Sequence, residues 1–203
     1  MIRSLSRFFP LWVLCMACIC ANGSAQTAGA AMQIQQAQSS IGQFNQTHAE
    51  SRLDAAIASL EAAGAMRLRE NQRHGLAAAY IALFAAVDRA LPNLPPGKLP
   101  LVNVVPPRAH GVSYPAGVDP SAIRDPAVRP RYEQEIRDNE TFTQRFLLAS
   151  SLRRIDDRAV LLFSGFSRDA FKSAADRRAL RAQIQQSALN RARRSRLLAA
   201  VPI

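Results

Sequence analysis

The chain has 203 residues, 48% of them hydrophobic and 20% charged, with a formal net charge of +11. That composition suits one globular domain of soluble type. Its three cysteines, Cys15, Cys18 and Cys20, all lie in the first apolar stretch, which excludes a cysteine metal site or redox motif from the rest of the chain.

Residues 1–25 have the pattern of a secretory signal. Arg3 and Arg7 form a basic start, Phe8 to Cys20 is a short apolar core, and Ala21 to Ala25 offers small residues to a signal peptidase. The apolar run is shorter than the roughly 20 residues that span a bilayer, so cleavage after Ala21 or Ala25 is expected rather than anchoring. The residues before Cys18 and Cys20 make poor lipid-attachment boxes. A mature chain would keep 24 basic against 15 acidic side chains, a net charge of +9, and no cysteine. It is large enough to be stable without disulfides, since a domain of this size buries roughly 70% of its unfolded surface. The expected location is the periplasm or the exterior.

Residues 26–46 are rich in Gly, Ala, Ser and Gln, and such a tract predicts a mobile leader that buries little. A single helical domain is expected over 47–203. Thr47-His48-Ala49-Glu50 has the spacing of a capping box, with Leu53, Ile57 and Leu60 at helical intervals behind it. After the polar patch from Arg67 to His74, Leu76, Tyr80, Leu83, Phe84, Val87 and Leu91 resume that spacing. Two helices are predicted, at about 48–72 and 76–91, joined near Asn71–Gly75. No segment recurs at the 34-residue period of helical repeat arrays.

Ten of the twelve prolines fall between Pro92 and Pro130, which excludes continuous helix or strand there. Leu99, Leu101, Val102, Val104, Val105, Val112 and Tyr114 make this stretch too apolar for a free linker. The expectation is a strap over 92–130, with Leu101, Val104 and Tyr114 touching helices and resisting proteolysis. Asp119-Pro120 and Asp125-Pro126 each place a capping side chain before a first-turn proline. The first predicts a single turn, and the second leads toward the long central helix.

From Arg131 that helix meets no Pro or Gly until Gly165, where Ser164-Gly165-Phe166-Ser167 reads as a stop and a new cap. Tyr132, Ile136, Thr143, Phe146, Leu147 and Ser150 fall on one side, and Leu148, Leu152, Ile155 and Leu162 on another. Apolar stripes on opposed faces predict a helix held between two partners, with Ile136, Phe146, Leu152 and Ile155 buried. One or two further helices complete an all-α fold.

No nucleophile elbow, phosphate loop or dinucleotide fingerprint is present. His48, His74 and His110 lack partners at metal-ligand spacing, so no metal, cofactor or catalytic residue is assigned. The most site-like hexapeptide is Ala109 to Tyr114, carrying His110, Ser113 and Tyr114. Glu133 is expected to pair with Arg137, and the run Arg153 to Arg158 to pair along its own helix. Asn45-Gln46-Thr47 and Asn139-Glu140-Thr141 match the glycosylation triplet, a pattern common by chance.

Positive charge concentrates at the C-terminus. Arg177, Arg178, Arg181, Arg191, Arg193, Arg194 and Arg196 face one acid, Asp176. Without aromatics for base stacking, and on an exported chain, anionic lipid or wall polymer is a more fitting partner than nucleic acid. Three functions follow in order. The first is a non-enzymatic interaction or structural module of the cell envelope, binding a protein partner. The second is a peripheral binder of an anionic surface through those seven arginines. The third is an enzyme whose site uses His110, Ser113 or Tyr114 on the strap.

Overall fold

The computed structural model describes the backbone of residues 9–108 and 112–202, and the side chains of 28–108 and 112–202. The described residues hold six α-helices and no strand. These are α1 (Phe9–Thr47), α2 (Glu50–Gly64), α3 (Glu70–Ala90), α4 (Arg129–Ala170), α5 (Ala174–Gln186) and α6 (Arg191–Ala199). The chain forms two compact units. One runs up to Ala90 and resumes at Ile155, and the other is Leu91–Arg154.

The glutamine-rich tract expected to be mobile is helical and packed, which corrects that expectation. Ala30, Ile34, Ala37, Ile41 and Phe44 are all buried. Their spacings of four, three, four and three put them on one helical stripe, and α1 packs there on α2 and α3. The glutamines between them are mostly exposed.

Thr47 does not cap α2. Its hydroxyl donates to the Gln43 carbonyl at 2.9 Å and accepts from the Ala49 amide at 3.3 Å, closing α1 instead. His48 follows at φ +55°, and its amide donates to the Phe44 carbonyl at 2.7 Å. This is a left-handed helix end, where a non-glycine residue is uncommon. The reversal brings α2 onto α1, burying Leu53, Ile57 and Leu60.

The next break comes earlier than predicted, between Gly64 and Glu70 rather than near Asn71–Gly75. At the start of α3 the Gln72 side chain accepts from the Arg69 amide at 3.0 Å, half of a capping box. Gly75 lies inside the helix, where glycine costs only about 1 kcal/mol. The same holds for Gly165. The predicted stop there is overturned because α4 continues to Ala170, with Phe166 stacked on Tyr80 at 5.9 Å and Ser167 buried. The actual cap of α5 is Ser173, accepting from the Asp176 amide, and Asn190 caps α6 in the same manner.

Phe163, fully buried, is the hub of the first unit's aromatic packing. Its ring meets Tyr80 at 5.7 Å and Phe84 at 5.9 Å, both edge-on. Phe171 continues the cluster against Phe166 at 5.7 Å and His74 at 5.3 Å. The long-helix stripes are corrected in part. Leu152 and Ile155 are buried as expected, but Ile136 and Phe146 are only partly so, while Leu147 is 62% exposed and Ser150 exposed. Phe142, four residues before Phe146, takes the buried place.

The second unit joins the strap to the first half of α4. Asp119 accepts from the Ser121 amide at 2.7 Å and starts one 3-10 turn, Pro120–Ala122, as its spacing predicts. Hydrogen bonding from the Ser121 side chain, and then from its amide, holds the Asp119 carboxyl below its ordinary range. Asp125 likewise receives the Ala127 amide at 2.8 Å on the way into α4. Val104, Ile123, Val128 and Tyr132 form a small core, with Tyr114, Val118 and Ile136 against it. The buried Tyr132 hydroxyl reaches the carbonyls of Val104 at 3.1 Å and Val118 at 3.0 Å. Gly117, at φ +71°, donates to the same Val104 carbonyl at 3.0 Å. Tyr132→Phe should cost about 1 kcal/mol, because one hydroxyl proton shared between two carbonyls is lost while the Val104 carbonyl keeps the Gly117 amide. Faster limited proteolysis between Pro92 and Pro120, with α-helical circular dichroism retained, is the expected readout.

Candidate functional site

Three regions bear on function, and the C-terminal arginines come first. Carbonyls freed at helix ends need donors, and two of the arginines supply them. Arg181 donates to Leu198 O in the last turn of α6 and to Val201 O just past it, both at 2.7 Å. Arg194 donates to Ser187 O at 3.1 Å and Leu189 O at 3.0 Å, beyond the end of α5. Arg193 lies between two acids, reaching Asp88 at 2.9 Å and bonding Asp156, with its guanidinium 5.3 Å from the Phe84 ring centre. Its side chain is 10% exposed. Burial pushes the Asp156 carboxyl up, against the pull of Arg193 and Arg196.

Arg196 pairs with Asp156 and Asp157 from an exposed position, and Arg177 is half-buried. Only Arg178 and Arg191 stand exposed without a partner among the described residues. The structure therefore does not assemble the seven into one cationic face. Cross-helix pairing also replaces the local pairing expected for Arg153 to Arg158. Asp156 and Asp157 are held from α6, and Arg158 bonds Glu61 of α2 at 2.7 Å. Glu133 pairs with Arg129 rather than Arg137.

The strap is the second region. His110 lies outside the described residues, Ser113 is exposed, and Tyr114 is half-buried against the Val104 core. Ser113 and Tyr114 do not converge with a titratable partner among the described residues. What the strap does present is apolar. Leu99, Leu101, Val105 and Val112 are 49–67% exposed, and Val102 is 96% exposed. Of the three contacts predicted, Val104 and Tyr114 pack, whereas the Leu101 side chain points outward. Its backbone is nonetheless fixed, because the Asn139 amide accepts from Leu101 N at 2.9 Å and donates to Leu101 O at 3.1 Å. That pairing gives Asn139 a structural role.

The third region gave no signal in the sequence. A cleft of about 590 Å³ opens in the first unit where the end of α2, the start of α3 and the last turns of α4 meet. Glu61, Arg73, Asp169 and Lys172 bring charge to it, and Met66, Leu68, Leu161, Leu162 and Phe166 supply apolar walls. Tyr80 also lines it, its phenol pushed up by burial and by Glu61.

No cluster of three or more metal-ligating side chains occurs among the described residues, and no helix among them is long and apolar enough to cross a membrane. No family model, no curated protein and no solved structure matches this chain.

Proposed function

We propose that this protein is an exported, non-enzymatic interaction module of the cell envelope, and that its strap is the surface that meets a partner protein. The observation that carries this reading is the run from Leu99 to Val105. Four of its side chains, Leu99, Leu101, Val102 and Val105, are apolar and exposed, while Asn139 and Tyr132 bond its backbone at Leu101 and Val104. Conformational ordering is a large cost of binding with an extended segment, and a segment already fixed avoids much of it. The prolines around it leave a stretch without helix or strand, whose exposed apolar side chains suit an apolar groove on another protein. The signal pattern of residues 1–25 supports export.

A photo-crosslinking amino acid placed at position 102 in the native host tests this. A discrete protein adduct is expected from position 102 and not from position 178. Val102→Asp should weaken the isolated interaction at least tenfold without shifting the melting temperature, since Val102 is 96% exposed. An adduct from position 178 alone would favour the arginine surface, and no adduct from position 102 would refute the strap.

A further inference from the structure

The cleft of the first unit is a candidate independent of the strap, and its charges are unevenly satisfied. Glu61 is bonded to Arg158 at 2.7 Å and Asp169 to Arg168 at 3.2 Å, so both acids of the lining already hold cations. The two cations of the lining, Arg73 and Lys172, have no acidic partner among the described residues. The Arg73 Nε is buried without any hydrogen-bond partner, so that atom is not committed to another group of the protein. Beside these cations stand Met66, Leu68, Leu162 and Phe166, which offer apolar surface. The cleft volume of about 590 Å³ lies in the range of small-molecule sites.

We propose that this cleft binds an amphiphilic carboxylate, a single acyl chain with an anionic head. Arg73 and Lys172 meet the head, and the apolar wall formed by Met66, Leu68, Leu162 and Phe166 takes the chain. A guanidinium suits this role because its planar fork matches the two oxygens of a carboxylate. No covalent step is involved, and the site requires no metal.

Gly165 provides a steric test that spares the fold. It lies on α4 in the cleft lining, and a Cβ added there meets nothing within 4 Å. Gly165→Leu should therefore preserve α4 while filling the cleft, since leucine is a far better helix former than glycine. The experiment is isothermal titration of the full chain with dodecanoate and, separately, with dodecyltrimethylammonium, which has the same chain and the opposite head charge. Saturable binding of one dodecanoate is expected, at least tenfold tighter than the cation. Arg73→Gln and Lys172→Gln should each weaken it threefold or more. Gly165→Leu should abolish it with an unchanged or raised melting temperature, which separates loss of the cleft from loss of the fold. Equal affinity for both head groups, dodecanoate binding unchanged in Gly165→Leu, or no saturable binding at all would overturn the proposal. None of these results bears on the strap, which lies in the other unit.

Discussion

Replacing Arg193 with alanine is expected to destabilise the protein by about 3–5 kcal/mol at neutral pH, because it strands buried carboxylates without a cation. Asp88 and Asp156 are 13% and 11% exposed, and this one guanidinium is the nearest cation to both. Arg196 also approaches Asp156, at 3.7 Å, but from a side chain 54% exposed, and Asp157 adds a like charge nearby. Burial already holds the Asp156 carboxyl above its unfolded value, so ionising it costs stability as pH rises past that value, about 3.9. Removing Arg193 takes away the main opposing effect and enlarges that cost. The deficit of the variant should accordingly be small near pH 3, where Asp156 is protonated, and full by pH 7. Urea unfolding at the two pH values measures it. Arg193→Lys should recover only part of the loss, since an ammonium cannot bond both acids and face Phe84 as a planar guanidinium does. A deficit equal at both pH values would show that Arg193 acts through packing alone.

Arg193 also shows where sequence reasoning stops. Its position in a basic run is visible, and so is the charge imbalance around it. Its partners lie 105 and 37 residues away, on α3 and α4, and no local spacing announces them. Local rules did better where the chain makes local contacts. The turn at Asp119-Pro120, the proline-rich stretch without helix, and an all-α fold with a long fourth helix are all legible. Composition misled at α1, where counting glutamines hid the stripe of Ala30, Ile34, Ala37, Ile41 and Phe44. Glycines misled in the opposite direction. Gly75 and Gly165 read as breaks, but a penalty of about 1 kcal/mol yields to the packing of residues on either side. The cleft was invisible because its lining comes from three helices separated by up to about a hundred residues, and no two of its charges form a motif.

Phe163→Ala is the second large effect, expected at about 3–5 kcal/mol. Phe163 is fully buried, and its ring edges meet both Tyr80 and Phe84, so truncation removes two aromatic contacts along with the volume of the ring. For a chain of this size the melting temperature should fall by roughly 10 °C, taking about 2–4 °C for each kcal/mol. Phe163→Leu should cost much less, since it keeps most of the apolar volume and loses mainly the edge-on geometry. The contrast is Phe146→Ala on the same helix. The sequence stripe ranks Phe146 as a core residue, but it is only half-buried beside Phe142, at 6.3 Å between ring centres. Its truncation should cost under about 2 kcal/mol, in proportion to the smaller area it removes from water. Thermal unfolding of the two alanine variants, followed at 222 nm, decides between them. If Phe146→Ala proved as damaging as Phe163→Ala, the stripe on the first half of α4 would be a true core face, and the burial pattern along that helix would be wrong.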